Sequence, residues 1–181
     1  MGYPRGGDDE HAAVIVREAR PDDVAAIAHI YNQGIEERIA TFETEPRTTE
    51  HIQAWLAERA GRYPVVVAER SGQVVAWAAA GPYRPRECYA GVAEFSVYAE
   101  RAARGTGAGR AALEGLIERC EKAGFWKLVS RIFPENASSR ALCGAAGFRE
   151  VGTYHRHARL DGVWRDTVIV ERLLGEARLG A

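Results

Sequence analysis

The sequence predicts a mixed α/β fold, a central β-sheet with helices on its faces, in the order β-α-α-β-β-β-α-β-α-β-β. Three observations predict it. Short β-branched runs alternate with segments whose apolar residues recur at helical spacing. Ser71-Gly72 and Asp161-Gly162 join runs that return on themselves as hairpins. The 181 residues carry no repeat, no low-complexity tract and no sign of a second domain, so one core suffices.

The elements follow in order. Val14 to Arg17 is the first strand. Pro21-Asp22-Asp23 opens the first helix, because Pro suits a first turn and acids suit the helix dipole. Val24, Ile27, Ile30 and Tyr31 supply its apolar face. A loop containing Phe42 runs from about Glu36 to Arg47. Thr48-Thr49-Glu50 then opens a second helix with Ile52, Trp55 and Leu56 on one face. Pro64 to Glu69 and Gln73 to Ala80 form a hairpin, which Gly81-Pro82 ends. Tyr83 to Glu87 is a polar loop with two arginines. Val92 to Ala99 is the next strand. A Gly-rich turn, Arg104 to Arg110, leads into a helix that buries Ala112, Leu113, Leu116, Ile117 and Cys120 and is capped by Gly124. Trp126 to Phe133 is a strand, Ala137 to Ala146 a short helix closed by Gly147. Phe148 to Arg159 and Val163 to Leu173 are the final strands. The Gly-rich, acidic start, residues 1–13, is expected to be a disordered extension, and residues 175–181 a frayed tail.

Composition narrows the function. A formal net charge of -1 gives no basic surface for nucleic acid or an anionic membrane. No run of about 18 apolar residues could span a bilayer. The start lacks the apolar core of a secretory signal. Cys88, Cys120 and Cys143 are odd in number, widely spaced and free of CxxC, which suits neither a disulfide framework nor a zinc site. The expectation is a cytoplasmic protein that uses no metal.

The chemistry-bearing signal is Arg104-Gly105-Thr106-Gly107-Ala108-Gly109-Arg110. Successive glycines let backbone N–H groups converge, a helix N-terminus adds positive potential, and two arginines add charge: an anion site. The same residues also suit a flexible strand-to-helix turn. The spacing is neither a P-loop nor a dinucleotide GxGxxG. Asn136 reads equally as a plain helix N-cap, Phe42 as a core aromatic, and Glu94, Arg84 and Arg86 as solvated charge.

Two motifs give these residues a context. Arg-x-x-Gly-x-Gly after a strand ending Ser96-Val97-Tyr98-Ala99 resembles the acetyl-CoA motif of the GNAT family of N-acetyltransferases. Phe133-Pro134-Glu135-Asn136-Ala137-Ser138-Ser139-Arg140-Ala141-Leu142, closing on Gly147-Phe148, resembles the family's later motif. The resemblance implies the GNAT fold, a mixed sheet whose central strand pair splays apart. It implies that Val97, Tyr98 and Ala99 line the pantetheine arm of acetyl-CoA. Arg104, Gly105, Thr106, Gly107, Ala108, Gly109 and Arg110 would hold its pyrophosphate, and Asn136 and Ser139 would contact it later in the chain.

The resemblance runs from Val14 to Leu173 and is closest to the phosphinothricin, methionine sulfoximine and arsinothricin N-acetyltransferases. Its matching stretches are Ala40 to Pro46, Ala80 to Arg86, Glu94 to Tyr98 and Gly162 to Asp166. It implies Glu94 as general base, which an amine needs because only its free lone pair attacks a thioester. It implies Arg84 and Arg86, with Arg86 favoured, as forks for the carboxylate and oxyanion of a small acidic amine. Phe42 would pack on the carbon chain. Trp164 would close the pocket or, the favoured reading, fill a hairpin core. A homodimer through the late strands is also implied. The chain departs from the family at Cys143, where Tyr or His is usual, and a thiol is a weaker donor. Tyr154, His155 and His157 on a late strand read as structural or solvent-facing. Three alternatives stay open: acetylation of a peptide N-terminus, acetylation of a polyamine, or a non-catalytic acetyl-CoA binder.

Overall fold

The computed structural model describes residues 13–179. Its elements are β1 (Ile15–Glu18), α1 (Val24–Glu37), α2 (Thr49–Arg59), β2 (Val65–Arg70), β3 (Gln73–Pro82), β4 (Val92–Ala99), α3 (Ala108–Lys122), β5 (Lys127–Ile132), α4 (Ala137–Ala145), β6 (Arg149–Leu160) and β7 (Val163–Leu173). The predicted order is the observed one. The strands form one sheet, β1-β2-β3-β4-β5-β7-β6. Every neighbouring pair is antiparallel except β4 and β5.

Period-two alternation sorts each central strand between two cores. Ala78, Ala80, Ala93 and Phe95 pack with Leu113, Leu116 and Ile117 of α3 and with Cys143 of α4. Val65, Val67, Trp77 and Ala79 pack on the other face with Ile27 and Ile30 of α1 and Ile52 of α2. Glu94, Ser96 and Tyr98 share this second face, since Gly81, Ala79 and Trp77 are their cross-strand partners.

The parallel pair positions the site. β4 and β5 ladder only through Val92, Ala93 and Glu94. Beyond Glu94 the strands separate. Phe95 to Ala99 keep their β3 partners, and from β5 the Ser130 hydroxyl donates to the Phe95 carbonyl at 2.9 Å. On that side the Ala99 carbonyl accepts from Arg104 Nε at 3.3 Å, and the Val97 backbone has no β5 partner among the described residues, which leaves it for a ligand to pair with.

Three expectations need correction, and one lies out of reach. β3 runs through Pro82, which pairs with Ala93; a strand end tolerates the missing N–H. The tail holds to Leu179. Leu174 is fully buried, Gly175–Arg178 forms a 3-10 turn, and Glu121 accepts from Gly175 N (2.9 Å) and Arg178 Nη2 (2.8 Å). Trp164 does not fill a hairpin core: it is 48% exposed, with the Arg159 guanidinium 4.4 Å from its ring. The proposed N-terminal extension, residues 1–13, lies almost wholly outside the described residues.

Candidate active site

Glu94 stands at the last laddered position before β4 and β5 part. Arg131 of β5 donates through Nη2 to both Glu94 oxygens, at 2.7 and 2.9 Å. A carboxylate has about four acceptor positions, so Glu94 can still accept from a ligand. Its side chain is 35% exposed, which leaves it reachable.

Three recesses meet here. A cavity of about 360 Å³ lies between α1, α2 and the β3–β4 floor, with Tyr31, Trp55, Trp77, Arg59, Glu94 and Ser96 in its lining. That volume falls within the range of small-molecule sites, about 300–1,000 Å³. A slot of about 70 Å³ occupies the splay and reaches Ser96, Val97, Tyr98, Asn136, Ser139 and Cys143. A wide groove of about 880 Å³ continues past Arg131, with Arg84, Tyr154, His155 and His157 along it. Ser96 belongs to both cavity and slot, Arg131 to both slot and groove, and Glu94 to both cavity and groove.

The Gly-rich turn closes the far end of β4. Gly105 and Gly107 have φ of +77° and +89°, where L side chains are strained, and a Cβ on either would meet nothing within 4 Å. Gly107 is the N-cap of α3 and provides no side-chain cap. The first α3 amides, at Ala108, Gly109 and Arg110, have no acceptor within the helix and stand at the positive end of its dipole. That arrangement suits a diphosphate. The turn is tied to α1, because Gln33 Oε1 accepts from Arg101 N at 2.8 Å and Gln33 Nε2 donates to Glu100 at 3.2 Å.

The two expected arginines are already engaged. Arg104 donates to both oxygens of Glu37 at 2.9 Å, and Arg110 to Glu114 at 2.7 Å. Burial pushes the Glu37 carboxyl up, but Arg104 and Arg101 outweigh it and hold the group below the usual carboxylate range. Sequence reading missed Arg70, at the end of β2, which donates to the Thr106 carbonyl at 3.2 Å. No ion pair to Arg70 occurs among the described residues. It lies far from the motif in sequence, so only the folded hairpin reveals it.

At the slot, Asn136 fulfils its capping role and a second one. Its Oδ1 accepts from Ser139 N at 3.1 Å, while Nδ2 donates to the Ile39 carbonyl at 3.1 Å and ties the α1–α2 loop to α4. Tyr98 lines the slot, and its ring stacks on Trp77 at 4.9 Å; burial pushes its phenol up, so the hydroxyl stays neutral. Cys143 is 1% exposed, and burial pushes its thiol up to about 12. It is a neutral thiol at neutral pH, unsuited to nucleophilic attack.

The expected acceptor residues do not converge. Arg84 lines the groove and lies 5.3 Å from the Tyr83 ring; Arg86 lies 5.9 Å from the Tyr89 ring, outside all these recesses. Phe42 packs edge-on against Phe133 at 4.8 Å, also outside them. In their place the cavity offers Arg59, Trp55 and Trp77. Asp166 accepts from Arg156 N at 2.7 Å and bonds His155 Nδ1 at 2.9 Å, across a bulge in β6. Among the described residues no group of three or more His, Cys, Asp or Glu side chains is placed to hold a metal. Among the described residues no helix is long and apolar enough to cross a membrane.

Comparison with known proteins gives the family. Residues 13–149 match the model of the acetyltransferase (GNAT) domain family. The phosphinothricin N-acetyltransferase of Alcaligenes faecalis is 37% identical over 90% of this chain and 83% of its own. A Sinorhizobium meliloti phosphinothricin acetyltransferase, solved in complex with acetyl-CoA, superposes with a TM-score of 0.85. It is 32% identical over 93% of this chain and 92% of its own. A structure named ribosomal-protein-alanine N-acetyltransferase, from Brucella melitensis, gives 0.85 at 37% identity over 88% of this chain and 99% of its own. The chain belongs to the GNAT acetyltransferase family, on its phosphinothricin-type branch, and is an acetyl-CoA-dependent N-acetyltransferase.

Proposed function

We propose that the enzyme acetylates the amine of a small acidic amino acid of the phosphinothricin, methionine sulfoximine or arsinothricin type, with Glu94 as general base. The observation that carries this reading is the position of Glu94, where a cavity between α1 and α2, the splayed strands and a basic groove meet. Acetyl-CoA supplies the thioester carbonyl as electrophile. Open β4 backbone beyond Glu94 pairs with the pantetheine arm, and the Gly105–Gly109 amides hold the pyrophosphate. In the cavity Glu94 takes a proton from the acceptor ammonium, directly or through one water. The freed lone pair attacks the thioester carbonyl and forms the N–C bond; the nitrogen then sheds its second proton to solvent as the C–S bond breaks, and the departing thiolate takes a proton from solvent.

Arg131 holds the Glu94 carboxylate at two points, which fixes its direction. Arg84, in the groove on the other side of Glu94, suits the acceptor's distal oxyanion. Such an activity would detoxify glutamate-like antimetabolites and confer resistance to them, in the cytoplasm. A homodimer belongs to the same reading. Val151, Tyr154, Val163 and Trp164 are each about half exposed on β6 and β7, and they leave apolar side chains there for a partner to cover.

The test is Glu94→Gln assayed by thiol release at saturating substrates. A general base contributes about 10²–10⁴-fold, so kcat should fall at least about 100-fold while acetyl-CoA still binds. Near-full turnover would remove Glu94 from the mechanism. The width of the groove is the one feature that favours a peptide acceptor, and preferential turnover of an N-terminal peptide would move the reading there.

A further inference from the structure

Arg59, the last residue of α2, lies over the cavity side of β3. Its Nε donates to the Ala80 carbonyl at 3.1 Å and its Nη1 to the Trp55 carbonyl at 3.0 Å, and the group sits 4.2 Å from the Trp55 ring. These bonds use two of the five N–H donors of a guanidinium. A Cβ on Gly81 would come 3.1 Å from Arg59 Nη2, so the bare glycine makes room for the cation.

Gly81 is the cross-strand partner of Glu94, which places their Cα atoms about 5 Å apart. Both Arg59 and Glu94 line the cavity between α1 and α2. The cavity's other arginine, Arg47, is bound to Glu43 at 2.6 Å. Arg59 has no ion pair among the described residues, and burial lowers its pKa, as for a cation stripped of water without a paired anion. The Trp77 indole N–H, in the same lining, is buried without a hydrogen-bond partner.

We propose that Arg59 receives the α-carboxylate of the acceptor, while Glu94 faces the α-amine on the next strand. In an α-amino acid the two charged groups flank one carbon. The cavity offers their opposites, in the matching order, across a single strand pair. Tyr31, Trp55 and Trp77 form the apolar wall for the rest of the molecule. Arg59 is thus a specificity-determining residue that selects α-amino acids over amines without a carboxylate. The proposal rests on the acidic amino acid reading above.

Steady-state thiol release on the full chain tests it, with phosphinothricin and phosphinothricin α-amide as paired acceptors. Arg59→Gln should raise KM for the acid at least about tenfold, the loss expected for a hydrogen bond between charged groups. Its kcat should stay within about threefold, and KM for the amide should not change. Arg59→Lys should recover part of the loss. Gly81→Ala, which leaves Arg59 in place but crowds it, should raise KM for the acid alone; it carries the test should Arg59→Gln fail to fold. An unchanged KM for the acid, or equal changes for acid and amide, would overturn the proposal while the reaction class stands. Wild-type protein that turns over neither acceptor would overturn both readings.

Discussion

A Gly107→Ala substitution separates backbone strain from cofactor recognition. Gly107 has φ of +89°, and its added Cβ would meet nothing within 4 Å. The folded-state cost is therefore conformational, about 1–2 kcal/mol for an L residue held left-handed. The more restricted unfolded chain offsets part of that cost, by about 0.4–1 kcal/mol. The net loss is about 1 kcal/mol, or a fall in melting midpoint of about 2–4 °C for a domain this size. Gly124→Ala is the control. It has φ of +84°, an equally empty surrounding, and lies beyond the other end of the same helix. Both variants should lose similar stability in thermal unfolding. Only Gly107→Ala should raise KM for acetyl-CoA, by about tenfold or more, because each charge-assisted amide bond to phosphate contributes about 1.5–3 kcal/mol. Equal KM values for the two variants would refute pyrophosphate binding at this turn.

Further outcomes follow from burial and charge. Cys143, with its thiol pushed up to about 12, should resist iodoacetamide at neutral pH while exposed Cys88 reacts, and Cys143→Ala should retain turnover; labelled-peptide mass spectrometry and the thiol-release assay check this. Asp23 is 5% exposed; burial raises its pKa, but hydrogen bonds from Arg17 and the Arg20 amide outweigh that and lower it. A depressed folded pKa gives stability above the unfolded value, about 3.9, that is lost as pH falls through the folded one. Asp23→Asn should therefore cost about 1–3 kcal/mol at pH 7, with the gap to wild type narrowing below about pH 4 in denaturant titrations.

The order of elements was legible because each carries a local signal. The β4 span was read to the residue from its turn boundaries, and Thr48 was read as the opening of α2, where it caps His51 N at 3.3 Å. The site was half legible. Glu94 and the Gly-rich turn sit on motifs with fixed spacing. Arg131, Arg59 and Arg70 do not, because their roles depend on β4–β5 register, on α2 lying across β3, and on a hairpin tip reaching the α3 turn. Trp164 was not legible, because its match to the family places it on the late hairpin without showing whether anything covers it there, and it is 48% exposed. Arg84 and Arg86 read together from sequence, with Arg86 favoured, yet of the two only Arg84 lines the groove that Glu94 shares.

The most direct test of the central claim is thiol release from acetyl-CoA across phosphinothricin, methionine sulfoximine, arsinothricin, glutamate, a polyamine and an N-terminal peptide. Turnover confined to the oxyanion-bearing glutamate analogues is the predicted result. Turnover only on the peptide or polyamine would contradict the acidic-acceptor assignment and leave the fold and the acetyl-transfer chemistry in place.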